Sequence, residues 1–311
     1  MKLLKNDYIL IVVILLLLFI LYHLIKNIDD KGLLYNKESI LTKICRKEHS
    51  EDNPNYKFRL LLNEKLYVKE FNQKYIPEMN CSKNLFVFDD PNELYSIQHN
   101  LPNKYVIKYS IGTGRNIVVD SKIPIDDLVE RCKFMEKDVK NHYVNPHEAS
   151  CYDIVTSIRK PKFLIEEYIG DNLIDYKFYY VNGKCVFLLI MGDRYSGITG
   201  IDKGSKDGEK GHTVYYNTYD DMGVLSEQIY KAGKAQDYKD PAFPLPKNFE
   251  KMKEYCRKFC DLTKTKFVRI DFYEVNGEVY FGEYTFVPNL CVHKLNTRYE
   301  KYLVDKYNLQ G

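Results

Sequence analysis

The clearest hydrophobic pattern in the chain is a pair of strand-like segments near the C-terminus, at 267–272 and 280–286, where most residues are β-branched or aromatic. The turn signal Asn276-Gly277 lies between them, so the pattern predicts a β-hairpin. The length of the turn decides which side chains share a face, because a shift of one residue moves every side chain of a strand to the other face of the sheet.

Two registers are open for this hairpin. A two-residue turn would pair Ile270 with Glu283 and would put Asp271 and Glu283 on opposite faces. A three-residue turn that ends in left-handed Gly277 reverses this parity. We predict the three-residue turn because it separates polar from apolar side chains. One face then carries Arg269, Asp271, Glu283 and Thr285, and the other carries Val268, Ile270, Phe272, Tyr280, Tyr284 and Phe286.

The predicted polar face is a candidate metal site. Asp271 and Glu283 would come within reach of one cation. Carboxylate oxygens are the ligands that Mg²⁺ prefers, and water and substrate phosphate usually complete its shell. Taken alone, the hairpin is explained better by a solvated, charged surface, so the metal assignment depends on the rest of the chain.

Further strands and helices follow from the same kind of pattern. The predicted strands are 85–88, 105–109, 117–119, 163–165, 176–181 and 185–191, and the predicted helices are 124–140 and 247–262. A Gly-rich, charged loop is predicted at 196–212. Because strands and helices alternate without long repeats, we predict an α+β fold with mostly antiparallel sheets.

The longest apolar run lies at the N-terminus, from Tyr8 to Ile25, and is interrupted only by His23. As a helix it would be about 27 Å long, close to the thickness of a bilayer core. The charged, bulky residues that follow do not form a small-residue cleavage site, which favours an uncleaved membrane anchor over a signal peptide.

Composition narrows the range of functions. The 311 residues are 45% hydrophobic and carry a net charge of +3, too little to indicate a nucleic-acid partner. The eight cysteines include no C-x-x-C pair. This favours buried thiols in a reducing compartment over a zinc site.

Two cationic positions suggest phosphate binding. Lys108 ends a predicted strand and is followed by the turn Gly112-Thr113-Gly114. Small residues let backbone N–H groups approach phosphate oxygens, and a nearby ammonium group neutralises them. A tight hairpin turn would explain the glycines equally well. Arg194 follows another strand and could supply a further contact, or could be an ordinary arginine at a strand end.

The order of these pieces resembles the ATP-grasp enzymes, and more closely the TupA-like branch named for teichuronopeptide biosynthesis. A strand lysine with a glycine loop comes first, an apolar strand ending in Glu-Glu follows, and R-x-D precedes G-E-x-T. The segments that carry the resemblance are 101–108, Gly112-Thr113-Gly114, 161–169, 175–178, Asn182-Gly183-Lys184, 246–252, 267–271 and 280–288. They imply two α+β lobes that clasp ATP.

The resemblance also implies a set of nucleotide contacts. A lysine would contact the α/β-phosphates beneath a flexible flap, the adenine would lie along a hinge, and the ribose would lie near an acidic residue. The residues concerned are Lys108, the flap Gly112, Thr113 and Gly114, the hinge Glu166, Glu167, Tyr168 and Ile169, and Asp175.

The remaining implied roles concern the metal and the transferred phosphoryl group. Asp271 and Glu283 would hold Mg²⁺ or Mn²⁺, with Thr285 where more distant ATP-grasp enzymes carry an asparagine ligand. Arg194 would touch the γ-phosphate, and Arg269 would steady the phosphoryl group. The family chemistry is ATP-dependent joining of a carboxylate to an amine through an acylphosphate.

The sequence departs from the family pattern in two places. Tyr109-Ser110-Ile111 replaces the usual Pro-Asn-His, and Asn289-Leu290-Cys291 replaces a Gly-Ser-Gly turn that borders the acceptor. The alternative is therefore a catalytically inactive nucleotide-binding or scaffolding protein. A sugar-nucleotide glycosyltransferase would need an Asp-x-Asp motif, which the sequence lacks.

These inferences give an expected organisation. We predict a membrane anchor at 1–26, a linker and N-terminal subdomain at 27–100, lobe one at 101–168 and lobe two at 169–311. Since an ATP-consuming domain needs cytosolic ATP, the bulk of the chain is expected to face the cytoplasm. The family association suggests substrates in cell-surface polysaccharide or glycopeptide synthesis.

Overall fold

The computed structural model of the chain describes residues 11, 13–24, 35–36, 38–112, 116–120, 122–142, 146–171, 173–192, 215–226, 229, 236–237 and 244–310. The strands are β1 (Tyr35–Asn36), β2 (Asn80–Cys81), β3 (Asn84–Phe88), β4 (Lys104–Tyr109), β5 (Asn116–Asp120), β6 (Phe163–Glu167), β7 (Asp175–Val181), β8 (Lys184–Gly192), β9 (Tyr215–Asp220), β10 (Gln236–Asp237), β11 (Phe267–Val275), β12 (Glu278–Thr285) and β13 (Leu295–Asn296).

The helices and short helical turns pack around these strands. They are α1 (Ile40–Glu48), α2 (Tyr56–Leu61), α3 (Lys65–Tyr75), α4 (Leu94–Ile97), α5 (Ile125–His142), α6 (Pro146–Ile158), α7 (Phe249–Thr263) and α8 (Thr297–Tyr307), with 3₁₀ turns at Pro91–Glu93, Gln98–Asn100 and Pro288–Cys291. The predicted strands and both predicted helices are confirmed to within about two residues at each end, the usual precision of such boundaries.

Most strands belong to two sheets. A four-stranded sheet has the order β3-β6-β4-β5 and is antiparallel throughout. A seven-stranded sheet has the order β10-β9-β8-β7-β11-β12-β2, and only its two outermost pairings are parallel. The prediction of an α+β fold with mostly antiparallel sheets is therefore confirmed.

Helix α5 packs against one face of the four-stranded sheet, and a hydrophobic core lies between them. Strand β4 alternates buried and partly exposed residues, so Tyr105 and Ile107 point inward. They share one hydrophobic cluster with Leu128 and Cys132 of α5. This period of two is what a sheet with one buried face requires.

The seven-stranded sheet is covered on both faces. All residues of its central strand β7 are buried. On one face, Phe178 packs with Phe71 of α3 and Met252 of α7. On the other, Tyr179 packs with residues of α1 and α8. Lys177 lies on this second face as well, nearer the start of β7, where buried polar side chains replace the apolar core.

The predicted turn of the C-terminal hairpin is wrong, although Asp271 and Glu283 do share a face as predicted. Val275 pairs with Glu278, so the turn at Asn276-Gly277 has two residues, both with positive φ. Parity changes instead at a β-bulge, and Asp271 pairs with Glu283. The bulge also corrects the apolar face, which holds Val279 and Phe281 rather than the predicted Tyr280.

Gly282 makes this bulge possible. A Cβ atom at this position would lie 2.9 Å from the carbonyl oxygen of Asp271. A bulge inserts one unpaired residue and re-aims the side chains beyond it. An isolated glycine within a strand pattern is the sequence signal for such a bulge, and it was the signal that the turn prediction overlooked.

Helix α3 joins the two sheets. Val68 and Phe71 lie in the cluster that covers the seven-stranded sheet. The first residue of the helix, Lys65, instead reaches the four-stranded sheet, where its backbone N–H donates to the carbonyl of Ser110 at 2.7 Å. The helix therefore fixes its N-terminus between the sheets.

The N-terminal segment is described only in part. Residues 13–24 are helical and their side chains are exposed. Tyr8 to Leu10, Val12 and Ile25 of the predicted anchor lie outside the described residues. In the part of the chain that is described, no helix is long and apolar enough to span a bilayer. The predicted loop at 196–212 is also outside the described residues.

The cysteine prediction is wrong for one pair. Cys45 and Cys291 form a disulfide, with Cα atoms 5.5 Å apart. Four other cysteines are buried thiols, as expected, and these are Cys132, Cys185, Cys256 and Cys260. The pair was missed because 246 residues separate its members, and sequence alone does not indicate which distant cysteines meet.

Candidate functional site

A line of charged side chains crosses three neighbouring strands of the seven-stranded sheet. Asp271 of β11 pairs with Lys177 of β7 on one side and with Glu283 of β12 on the other. Because directly paired residues point to the same face, these three side chains lie together. We call them the charged row. Arg269 and Thr285 form the adjacent pair on the same face.

Arg269 connects the two carboxylates of the charged row. Its Nε and Nη2 atoms lie 2.7 Å from the two oxygens of Asp271, and Nη2 also lies 2.5 Å from Oε1 of Glu283. The hydroxyl of Thr285 donates to the same Glu283 oxygen at 3.0 Å. One guanidinium nitrogen thus contacts both carboxylates, so Asp271 and Glu283 lie within reach of one cation, as predicted, although the cation that they contact is Arg269.

Lys177 completes the network from the other side. Its ammonium nitrogen lies 2.5 Å from Oδ2 of Asp271 and 3.3 Å from Oδ2 of Asp175. The side chains of Asp271 and Lys177 are almost fully buried, whereas that of Glu283 is half exposed. The row therefore runs from a buried end to a solvent-facing end.

Burial and charge act in opposite directions on these groups. Burial raises the pKa of Glu283, but Arg269 and Lys177 lower it more, so the net pKa falls below its ordinary value. Burial lowers the pKa of Arg269, and the two carboxylates raise it well above its ordinary value. Glu283 and Arg269 are therefore both charged at neutral pH.

The oxygen atoms of Asp271, Glu283 and the adjacent Thr285 fit a Mg²⁺ ion. Two carboxylates and a hydroxyl are oxygen ligands on adjacent strands, and Mg²⁺ is commonly held by one or two carboxylates plus substrate phosphates. Across the described residues, no group of three or more acidic, histidine or cysteine side chains could hold a metal ion. A metal here would need oxygen ligands from the substrate.

A second charged set lies on the four-stranded sheet. Glu166 of β6 is buried, and its oxygens lie 2.7 Å from the ammonium nitrogens of both Lys69 and Lys108. The hydroxyl of Ser82 donates to it at 2.7 Å. Burial raises the pKa of Glu166, but the two lysines outweigh this and bring the pKa to about 2.

Lys65 adds a third ammonium group to this set. Its Nζ donates to the carbonyl of Gly112 at 2.6 Å. Burial and the charge of Lys108 lower the pKa of Lys65 to about 8, against the opposing influence of Glu283 and Glu166. We call Lys65, Lys69 and Lys108 the lysine cluster. The influence of Glu283 means that the cluster and the charged row are neighbours.

Only some of the other residues predicted to contact the nucleotide lie beside the lysine cluster. Glu166, the first residue of the predicted hinge, is buried, and its side chain binds Lys69 and Lys108. Glu167 accepts a hydrogen bond from the backbone N–H of Lys83 at 2.9 Å. Tyr168 donates to Asp171 and stacks beneath the ammonium group of Lys104. Ile169 is half-buried.

Three of the predicted site residues lie outside the described residues: Thr113, Gly114 and Arg194. Gly112 is described and has a φ of +89°, a conformation in which a Cβ would also meet Val139 at 3.0 Å. Asp175, predicted to lie near the ribose, is buried beside Lys177 and at the end of the charged row.

Sequence reasoning missed three cations of the site. Lys177 lies two residues after Asp175, so strand alternation could have placed the two side chains on the same face. Lys65 and Lys69 are four residues apart and share a helix face. Helix α3 itself was signalled by Glu64, which caps it by accepting from the N–H groups of Leu66 and Tyr67.

Comparison with solved structures gives distant similarities. The D-alanine–D-alanine ligase from Helicobacter pylori aligns with 81% of this chain at 15% identity and a TM-score of 0.45. The VanG D-Ala:D-Ser ligase from Enterococcus faecalis aligns with 78% at 14% identity and a TM-score of 0.41. The L-amino acid ligase from Bacillus licheniformis aligns with 80% at 14% identity and a TM-score of 0.42.

The aligned regions span 62%, 57% and 48% of those three chains, respectively. No curated protein matches the sequence. The family model described as TupA-like ATPgrasp matches residues 206–308, a segment that contains both carboxylates of the charged row. This match confirms the resemblance to the TupA-like ATP-grasp family that the order of motifs predicts.

Proposed function

We propose that the chain is an ATP- and Mg²⁺-dependent ligase that joins a carboxylate to an amine. One observation carries the proposal: the lysine cluster has an excess of positive charge, and Glu283, a carboxylate of the charged row, lies close enough to act on the charge of Lys65. A nucleotide triphosphate with its metal ion carries the complementary charges, with phosphates for the lysines and a divalent cation for the carboxylates.

We propose the following contacts to the nucleotide. Lys108 and Lys65 would bind phosphate oxygens, beneath a flap that begins at Gly112. The adenine would lie along the backbone of 166–169, and the ribose near Asp175. Arg194 would contact the γ-phosphate. The position of Lys108 at the end of β4, beside the loop of Gly112, supports the phosphate assignment.

Asp271 and Glu283, with Thr285 beside them, would hold Mg²⁺ or Mn²⁺, which would neutralise charge on the transferred phosphoryl group. For this to happen, Arg269 must release at least one carboxylate oxygen that it now contacts. Its guanidinium group would then be free to contact phosphoryl oxygens, because arginine provides donors in a rigid fork.

The proposed reaction has two steps. A substrate carboxylate attacks the γ-phosphorus of ATP, the bond to the bridging oxygen breaks, and ADP leaves with the electron pair. An amine then attacks the carbonyl carbon of the acylphosphate, phosphate leaves, and the nitrogen loses a proton to form the amide. Neither step needs a nucleophile from the protein, so the residues of this chain serve to orient the reactants and to stabilise charge.

The proposal also includes the compartment in which the reaction takes place. We infer an N-terminal membrane anchor at 8–25 from its apolar run, and a cytoplasm-facing domain from the need for ATP. Substrates in cell-surface polysaccharide or glycopeptide synthesis follow from the family association alone. In sealed vesicles with the cytosolic surface outward, protease should digest 30–311, and protection of this region would contradict the orientation.

The test of the activity is Mg²⁺-dependent ADP release by the full chain, measured against a panel of amino acids and uronic acids. Release that depends on one carboxylate and one amine supports the ligase. Arg269 and Lys177 already occupy the oxygens of Asp271, which favours a second candidate, an inactive nucleotide-binding protein. Nucleotide binding without turnover on any acceptor would support that candidate, and folded protein that binds no nucleotide would exclude both.

A further inference from the structure

The disulfide between Cys45 and Cys291 is the one covalent link between α1 and the 3₁₀ turn Pro288–Cys291 in the described part of the chain. Cys45 is fully buried and Cys291 nearly so. The turn begins three residues after Thr285, at the end of the strand that carries Glu283. The proposed reaction does not use this link.

Cys45 contacts both ends of the segment 286–291. Its sulfur is bonded to that of Cys291 and also lies 3.4 Å from the carbonyl oxygen of Phe286, the residue directly after Thr285. The two contacts fix where this segment leaves the charged row and where it turns back. Movement of 286–291 away from α1 would therefore pull on the end of β12.

Polar contacts extend the attachment beyond the disulfide. The hydroxyl of Ser39 donates to the carbonyl of His293 at 2.8 Å, and the N–H of His293 donates to the hydroxyl of Thr42 at 3.0 Å. The N–H of Ile40 donates to a carboxylate oxygen of Glu300 at 2.6 Å. The start of α1 is thus hydrogen-bonded to the chain at residues 293 and 300.

The backbone of Cys291 gives an independent reason to regard the cross-link as selected for its position. Its φ is +56°, in the left-handed region that is unfavourable for residues with a Cβ atom. Glycine would adopt this conformation without that penalty. A cysteine here is explained if the bond to Cys45 offsets the unfavourable conformation.

We propose that the Cys45–Cys291 disulfide positions the segment 286–291, and through it Glu283 and Thr285, for binding of the metal–nucleotide complex. This inference rests on the proposed function. The cross-link forms by thiol–disulfide exchange: the two cysteine thiols reduce a small disulfide such as oxidised glutathione, lose two protons, and release two small-molecule thiols. In the reducing cytoplasm, to which the proposed orientation exposes this domain, the pair forms only when the disulfide pool becomes oxidising. The cross-link is therefore redox-responsive, and the reduced chain is the weaker binder of Mg²⁺–nucleotide.

The test compares the oxidised full chain with the same chain after dithiothreitol treatment. Since the chain has eight cysteines, thiol titration after unfolding should find six thiols before treatment and eight after it. Reduction should increase amide hydrogen exchange in 286–296 by about tenfold, as a local opening would, without changing exchange in β4. Re-oxidation with oxidised glutathione should restore protection.

A binding measurement separates positioning from simple stabilisation. We expect reduction to weaken Mg²⁺–ADP binding about fivefold by calorimetry, because small displacements of contact residues have effects of this size. Binding of ADP in EDTA should not change, since it does not use Glu283 or Thr285. Cys45→Ser and Cys291→Gly should behave like reduced protein in both redox states, and Cys81→Ala should respond like wild type.

Eight thiols in the oxidised protein, or equal exchange in 286–296 in both states, would overturn the inference. Equal Mg²⁺–ADP affinity with and without the cross-link would overturn the positioning role. If ADP binds in neither state, the proposed function fails, and the exchange measurement still decides whether the disulfide holds 286–296 in place.

Discussion

The lysine cluster and the charged row are built from the same kinds of side chain with opposite surpluses. Beside the four-stranded sheet, Lys69 and Lys108 contact the buried carboxylate of Glu166, and Lys65 adds a third positive charge nearby. On the seven-stranded sheet, the charged row together with Asp175 and Arg269 combines three carboxylates with two cations. Neither set is neutral. The difference indicates which part of a ligand each sheet can accept.

The pKa values of the two regions express this difference. In the lysine cluster, burial and a like-charged neighbour bring the pKa of Lys65 down to about 8, so an added anion would relieve repulsion. In the charged row, two carboxylates raise the pKa of Arg269 well above its ordinary value despite burial. A divalent cation would supply part of the positive charge that Arg269 now provides to these carboxylates.

The largest effect is expected in the charged row. Glu283→Gln removes one negative charge from the proposed metal site and should lower Mg²⁺-dependent ADP release about 100-fold. The matched control is Glu278→Gln, an exposed carboxylate on the same strand, which should have little effect on turnover. Equal rates for the two variants would show that the row does not hold the metal.

The second-largest expected effect is a loss of stability when the carboxylate at the lysine cluster is removed. Glu166→Gln leaves Lys69 and Lys108 beside a neutral amide and should reduce the free energy of unfolding by about 2 kcal/mol at pH 7, because it breaks a largely buried ion pair. Glu167→Gln is the control, since its amide oxygen can still accept from Lys83. Urea unfolding of both variants measures the difference.

The same variant has a defined pH dependence. The folded-state pKa of Glu166, about 2, is below its ordinary value of 4.5, so its stabilising contribution is present above pH 4.5 and is lost as the pH falls towards 2. The difference between wild type and Glu166→Gln should therefore shrink as the pH is lowered through this window. A constant difference from pH 7 to pH 2 would contradict the assignment of charge.

A smaller effect is expected at the bulge that sets the register of the charged row. Gly282→Ala would force a Cβ atom against the backbone carbonyl of Asp271 and should destabilise the fold by about 1.5 kcal/mol. Gly277→Asn is the control, because its left-handed position is open and asparagine tolerates it. If both variants unfold alike, the bulge is not what constrains this strand.

This hairpin also illustrates how far the sequence could predict the fold and the site. The apolar alternation identified the strands, and the separation of polar from apolar residues correctly placed Asp271 and Glu283 on one face. A bulge and an odd-length turn change the parity of the strand equally, so the separation of faces does not distinguish them. The glycine at 282 is the sequence signal that favours the bulge.

Other features could not be predicted because they depend on long-range packing. Lys65 enters the site only because α3 packs on one sheet while its first residue bonds to the other. Arg269 was expected to face phosphate, but it bridges the two carboxylates that were assigned to the metal. Strand periodicity predicts that Arg269 shares a face with these carboxylates, but it does not predict which of them its guanidinium group contacts.

The smallest expected effect is a pH dependence of nucleotide affinity. Because the pKa of Lys65 is lowered to about 8, its charge is present at pH 7 and mostly lost by pH 9. ADP affinity in EDTA should fall about tenfold over this range, an amount that corresponds to one lost charge contact. Lys65→Arg keeps its charge throughout and should bind with little pH dependence, whereas a parallel fall in both proteins would exclude Lys65 as the titrating group.

Calorimetry of ADP binding to the full chain, with and without Mg²⁺, tests the central comparison most directly. We predict that wild type binds ADP more tightly with Mg²⁺, that Glu283→Gln loses this gain but keeps binding in EDTA, and that Glu278→Gln retains both. Lys108→Ala should weaken binding in both conditions, because the lysine cluster would contact the phosphates themselves. Folded protein that binds no ADP, or an Mg²⁺ gain that survives in Glu283→Gln, would contradict the account.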